Sequence, residues 1–240
     1  MNQKTHPIYD NKPLGYSLNP IILKREISLK IGTELTVLMR EIEGFTAKAL
    51  KDPKLLAQLG LPADLPPSTT PLGLHIPFAR FDIVVNGDDF QVLELNTDGT
   101  SLFNICEWLG DEAELKDLEN PNRGLTKKLL DGLLKHQPNC QQINIVDFKD
   151  VKTSWEQNDL VERFKKLRPD IDVQRVDPGF RSWKDGALMY RRVLSWQLRA
   201  QPERAIPFLE DWKANKVTVV GGWSSDVGMS PTASFEASSG

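Results

Sequence analysis

Cysteine is nearly missing from this sequence. Two residues, Cys106 and Cys140, stand far apart in a chain of 240. That is neither a disulfide framework nor a zinc pattern, and it leads to the expectation of two reduced thiols in a cytoplasmic protein. Histidine is almost as scarce. His6, His75 and His136 show no metal or catalytic spacing, and each reads as an ordinary surface or loop residue. An excess of positive charge is also lacking. The formal net charge is −3, so electrostatics makes no case for nucleic acid or an anionic membrane as partner. No apolar run reaches the roughly 18 residues of a bilayer span. The opening "MNQKTHPIYD" has no apolar stretch of the signal-peptide kind. Internal repeats are absent. What is present is ordinary for a soluble globular protein: 40% hydrophobic and 26% charged residues, at a length that can bury a sizeable core.

The pattern along the chain predicts an α/β protein in two units. Asn19 to Leu50 has apolar residues at helical spacing, with Gly32 and Gly44 as possible breaks. Pro53 to Pro77 is rich in proline and small residues and predicts a long connection with little regular structure. A hairpin follows, then helices at Ser101 to Leu109, capped by Thr100 or Ser101, and at Leu125 to Leu134. From there strand and helix largely alternate. "QINIVDF", "IDVQRV", "ALMYRRV" and "KVTVVGG" read as strands. "SWEQNDLVERFKKLRP", capped by Ser154, and "QPERAIPFLEDWKAN" read as helices. Alternation predicts parallel pairing in an open sheet. The expected organisation is a helical and hairpin unit over 1–137, a small Rossmann-like unit over 138–229 and a disordered tail over 230–240.

The hairpin "ARFDIVVNGDDFQVLELNTDGTS" carries the chemistry. Side chains of a strand alternate between faces. Arg80 and Asp82 share one face of the first strand, and Glu94 and Asn96 share one face of the second. A loop of three residues (Gly87–Asp89) or five (Asn86–Phe90) sets Asp82 opposite Glu94, Arg80 opposite Asn96 and Phe81 opposite Leu95. An even loop would mix polar and apolar faces. An odd loop is therefore expected, despite the Asn-Gly signal for a tight turn, together with a buried apolar face. Two carboxylates directly opposite each other repel, so something positive belongs between them. Arg80 could serve. Mg²⁺ suits the set better: it takes hard oxygen ligands from one or two carboxylates and leaves positions for phosphates. Arg80 would then hold a phosphate bidentately. The competing reading is a solvated polar face.

"RFD", with "E-x-N" beginning twelve positions after its Asp, resembles the magnesium-binding hairpin of the glutathionylspermidine synthase family, ATP-grasp ligases of circularly permuted order. The segment "LMYRRVLSWQL…FLEDWKANKVTVVGGWSSDVG" is similar to that family's α/β unit, and the resemblance runs from about residue 76 to 229. It implies an ATP-grasp-like magnesium-binding half followed by a Rossmann-like pre-ATP-grasp unit. It implies Mg²⁺ and ATP as cofactors, with Asp82, Glu94 and Asn96 as metal ligands and Arg80 as the catalytic contact to the transferred phosphate. Thr97 and Ser101, in the small polar loop, are further cofactor-binding candidates. The implied reaction is ATP-dependent amide formation between a small-molecule carboxylate and an amine, through an acyl phosphate.

Two departures stand out. The family's Ala-Asp-Thr-Pro run is Thr97-Asp98-Gly99-Thr100 here. The lysines with which the family clamps ATP have no evident counterpart, so a chain lacking the nucleotide-binding C-terminal part is expected. The alternative is a non-catalytic scaffold remnant. Which acid and amine are joined, and the oligomeric state, stay open.

Among the remaining residues, Gly221 and Gly222 read as a phosphate loop or a plain turn. Arg191 and Arg192 are candidates for the sheet-edge cleft or for pairing with surface carboxylates. Arg163, Lys165, Lys166 and Arg168 read as a solvated helix face, with Phe164 and Leu167 turned inward. The tryptophans of the second unit, Trp155, Trp183, Trp196, Trp212 and Trp223, read as packing residues.

Overall fold

The computed structural model describes residues 7–10, 12–16, 21–61, 72–113 and 119–229. His6, much of the proline-rich run and the expected tail lie outside them. Two very short strands, β1 (Ile8–Tyr9) and β2 (Lys12–Pro13), pair antiparallel and precede a long helix, α1 (Arg25–Ala49). The helix starts later than its apolar spacing suggests and runs through Gly32 and Gly44 without a break. A glycine inside a helix costs only about 1 kcal/mol, which 25 residues of continuous pattern absorb. The proline-rich connection holds one element that was not expected, α2 (Pro53–Gln58). Its start was legible: the Asp52 carboxylate accepts from the Lys54 and Leu55 amides, and Pro53 occupies the first helical position.

Strands β3 (Arg80–Asn86) and β4 (Asp89–Asn96) form the hairpin. Arg80 faces Asn96, Phe81 faces Leu95 and Asp82 faces Glu94, as expected. The odd loop is not there. Asn86 pairs with Asp89, so the turn is Gly87–Asp88, and the register slips between Asp82 and Ile83. Leu93 is the extra residue of a β-bulge. Strict alternation would tie Val92 and Glu94 to one face. The bulge frees them, so Val92 opposes Ile83 while Glu94 opposes Asp82. Gly87, at φ 62, takes the first central position of the turn, where a tight hairpin requires glycine. The apolar face is half-buried rather than buried, and Leu93 is 66% exposed.

Helices α3 (Phe103–Glu112) and α4 (Leu125–His136) lead into the α/β part: β5 (Gln142–Val146), α5 (Ser154–Leu167), β6 (Asp172–Val176), β7 (Leu188–Arg191), α6 (Ser195–Ala200), a 3-10 turn (Pro202–Ala205), α7 (Ile206–Lys213), β8 (Thr218–Val220) and α8 (Ser224–Met229). Ser154 is the first helical residue of α5, not its cap, and α6 was not foreseen. The four strands are parallel in the order β6-β5-β7-β8, as alternation predicts. Successive strands run outward in both directions from β5, so the order reverses between β5 and β7.

Burial on both sheet faces makes this a three-layer α/β arrangement. Ile143, Ile145, Leu188, Tyr190 and Val220 pack with α4 and α5 on one face. Val146, Met189 and Val219 pack with Phe208 and Trp212 of α7 on the other. The first of these cores joins α4 to the sheet, across position 138. A smaller cluster joins Ala49 of α1, Leu56 of α2 and Val227 of α8. Among the described residues, no helix is long and apolar enough to cross a membrane.

Candidate functional site

The loop after the hairpin, "TDGTS", is fastened residue by residue to the carboxyl ends of β7 and β8. Thr97 is buried, and its hydroxyl donates to the Ser225 carbonyl at 2.6 Å. Asp98 is buried and accepts from Arg191 Nη2 at 2.5 Å and from the Ser195 amide at 2.7 Å. The Gly99 carbonyl accepts from Arg192 Nε at 3.1 Å. The Thr100 carbonyl accepts from the Tyr190 hydroxyl at 2.9 Å. Gly99 has φ 56, and a Cβ there would lie 2.6 Å from the Arg192 carbonyl oxygen, so only glycine fits. Three consecutive residues, Tyr190, Arg191 and Arg192, thus hold three consecutive loop residues, Asp98, Gly99 and Thr100.

Both arginines are buried, which corrects the expectation of surface carboxylates as partners. Arg191 pairs with Asp98, and Arg192 pairs with Glu156 at 3.3 Å. A carboxylate beside it holds the Arg192 guanidinium well above its ordinary pKa, against the opposing effect of burial. Glu156 Oε1 also accepts from the Leu102 amide at 2.6 Å. Leu102, at φ 77, is the N-cap of α3, and neither Thr100 nor Ser101 caps that helix. Glu156 thus already occupies the Leu102 amide at the amino end of α3.

Between this loop and the parallel sheet lies a cavity of about 540 Å³. It opens at the carboxyl ends of β5 and β7, where the strand order reverses, the usual ligand position in an open α/β sheet. Arg80, Asn96 and Ser101 line one side. Arg192 and Asp147 stand at the strand ends, and Lys152, Asp150, Arg204 and Trp196 complete the rim. Asp147 is buried, which pushes its carboxyl pKa up, and it accepts from the Phe148 amide at 2.8 Å and from Gln157 Nε2 at 2.5 Å. Sequence reasoning passed over Asp147 and Lys152. The available signal was an aspartate directly after an apolar strand, in "NIVDF". Trp196 was expected in the core but is 58% exposed.

The hairpin candidates divide between this cavity and the surface beside it. Arg80 Nε donates to Asp82 Oδ1 at 2.9 Å, and Arg80 Nη1 lies 3.5 Å from Ser101 Oγ. Asn96 Nδ2 is 3.5 Å from Asp82 Oδ2, and Glu94 is exposed opposite Asp82. Arg80 thus sets a positive charge beside Asp82, one of the two opposed carboxylates. Among the described residues no group of three or more histidine, cysteine, aspartate or glutamate side chains is placed to hold a metal ion. The hairpin set has two carboxylates and one amide. All are hard oxygen donors, and that suits Mg²⁺, which keeps water or phosphate oxygens in its other positions. Thr97, by contrast, has its hydroxyl committed to Ser225 and does not line the cavity.

Other expectations resolve differently. Gly221, at φ 83, makes a turn whose carbonyl accepts from Arg191, so the glycine pair ends β8 against a buried arginine. His136 is buried in the last turn of α4, not on the surface, and burial lowers its pKa. Leu167 is 41% exposed while Phe164 is fully buried. Cys106 and Cys140 are free thiols. No protein-family model and no curated protein matches the chain.

Proposed function

We propose that this chain is an ATP- and Mg²⁺-dependent carboxylate–amine ligase chain of the permuted ATP-grasp kind. The observation that carries the reading is the position of Arg80. It is oriented by Asp82 and Ser101 at the wall of a cavity that opens at the strand-order reversal of a parallel sheet. Asp82, Glu94 and Asn96 would hold Mg²⁺. Bound Mg-ATP would supply the phosphoryl group that activates a carboxylate, leaving ADP, and attack by an amine would then form the amide and release phosphate. Arg80 neutralises charge that develops on the transferred group, as preorganised charge does in phosphoryl transfer. Arg192 and Ser101 orient the carboxylate substrate. Asp147, which lines the cavity at the strand ends, would accept a hydrogen bond from the amine. The fastened loop 97–101 keeps these groups in fixed relation, which is where much of catalysis by proximity comes from.

A second reading is a non-catalytic scaffold. It is favoured by the Asp82 carboxylate, which Arg80 and Asn96 already satisfy. One titration separates the two. Calorimetry with Mg²⁺ and ATP is run on the chain and on the double variant Asp82→Asn, Glu94→Gln. The ligase reading expects Mg²⁺-dependent nucleotide binding that the variant weakens at least tenfold, the effect of about 1.4 kcal/mol. Equal binding in both proteins, or none in either, leaves the scaffold.

A further inference from the structure

The cavity has a wall that the ligase reading does not use. It is the N-terminal strap, residues 7–10 with 12–16, which carries Tyr9 to the cavity rim. Among the described residues β1 and β2 pair only with each other. The strap packs β1 against α5 with Pro7 buried, and it is tied to the body at both ends. The Asp10 amide donates to the Lys152 carbonyl at 3.1 Å, and Lys152 Nζ lies 3.3 Å from Asp10 Oδ2. At the far end Tyr16 packs edge-on against Trp108, with ring centres 5.0 Å apart. Asp10 itself sits at φ 52, a costly region for a residue with a Cβ. Lys152 has two roles: it anchors Asp10, and it lines the cavity.

We propose that the strap is a lid and that Asp10 is an internal competitor for Lys152, displaced when the phosphate or carboxylate group of a ligand takes that lysine; this rests on reading the cavity as an anion site. Asp10 and an entering anion compete for the same ammonium group and repel each other. Ion pairs this exposed (side chains 60% and 51% accessible) are weak, so exchange is easy. By linkage, whatever factor the ligand gains in opening the strap, strap opening returns to ligand affinity.

The test uses the full chain, with pyrophosphate and succinate as phosphate and carboxylate probes. Hydrogen exchange of residues 7–10 and 12–16 reports the lid, and calorimetry reports affinity. The tighter-binding anion should speed exchange of the strap about two- to fivefold, the range that an exposed ion pair supports. Asp10→Asn should exchange at the ligand-bound rate without ligand and bind that anion tighter by the same factor. Lys152→Met should weaken binding and abolish the gain from Asp10→Asn, because the two act through one contact. The comparison of probes identifies phosphate or carboxylate as the displacing group. The proposal is overturned if Asp10→Asn binds no tighter, if its gain survives in the Lys152→Met background, or if neither anion binds. None of these outcomes bears on the magnesium–ATP titration, which reads Asp82 and Glu94.

Discussion

Tyr190 carries the clearest consequence at the scale of single residues. Its ring is in the core and its hydroxyl holds the loop at Thr100. Burial pushes its pKa from 10.0 up to about 12. A folded-state value above the unfolded one stabilises the fold fully below pH 10, and that stabilisation is lost as pH rises through 12. The full effect is about 2–3 kcal/mol. Tyr190→Phe lacks the hydrogen bond, so near pH 8 it should be less stable by about 1 kcal/mol. Urea unfolding at rising pH should show that gap closing and then reversing between 10 and 12. A constant gap would mean that the phenol stays accessible to solvent. Asp82, Glu94, Asn96 and Arg80 were legible because strand alternation places them. Asp98 and Glu156 were not, because their partners are 93 and 36 positions away.

The hairpin and its loop show what single elements require of glycine. Gly87 and Gly99 both have positive φ, 62 and 56. Nothing would meet a Cβ at Gly87, while at Gly99 it would clash with the Arg192 carbonyl and Leu194. Gly87→Ala should therefore cost only the backbone term, about 1–2 kcal/mol. Gly99→Ala should cost about 1–3 kcal/mol more, because it also pries the loop from β7. Denaturant melts of the two variants check the order, and equal losses would show that the loop yields freely. The bulge at Leu93 escaped a reading of the sequence for a definite reason. Period-two alternation is a rule about regular strands, and one inserted residue changes the phase without any signature in composition. The paired residues were still identified, because an odd loop and a bulge repair the same mismatch.

Across the whole molecule, stability is uneven. β5 is buried at every position and paired on both sides, by β6 and β7. β1 and β2 pair only with each other among the described residues and are exposed. Native-state hydrogen exchange should find the β5 and β7 amides opening only with global unfolding and those of the strap opening locally, many orders of magnitude faster. Strap amides as slow as those of β5 would contradict this ranking. A large-to-small change in the shared core, Leu133→Ala at 0% exposure, should cost about 2–5 kcal/mol by thermal melting. It should also loosen α4 from the sheet, because that core spans both parts of the chain.

Local order in this protein was determined by the sequence alone. Apolar runs became parallel strands, helical spacing became α1, α4 and α5, and strand alternation set Asp82 against Glu94 and Arg80 against Asn96. These are interactions between near neighbours, and periodicity encodes them. Only the tertiary structure decided the cavity. Its lining comes from the strap, the hairpin loop, the strand ends of β5 and β7 and the 3-10 turn at Arg204. Pairs such as Arg191 with Asp98 and Arg192 with Glu156 form because burial removes water, and a buried charge needs an opposite charge beside it. That selection depends on which distant segments share an interior, and spacing along the chain does not record it.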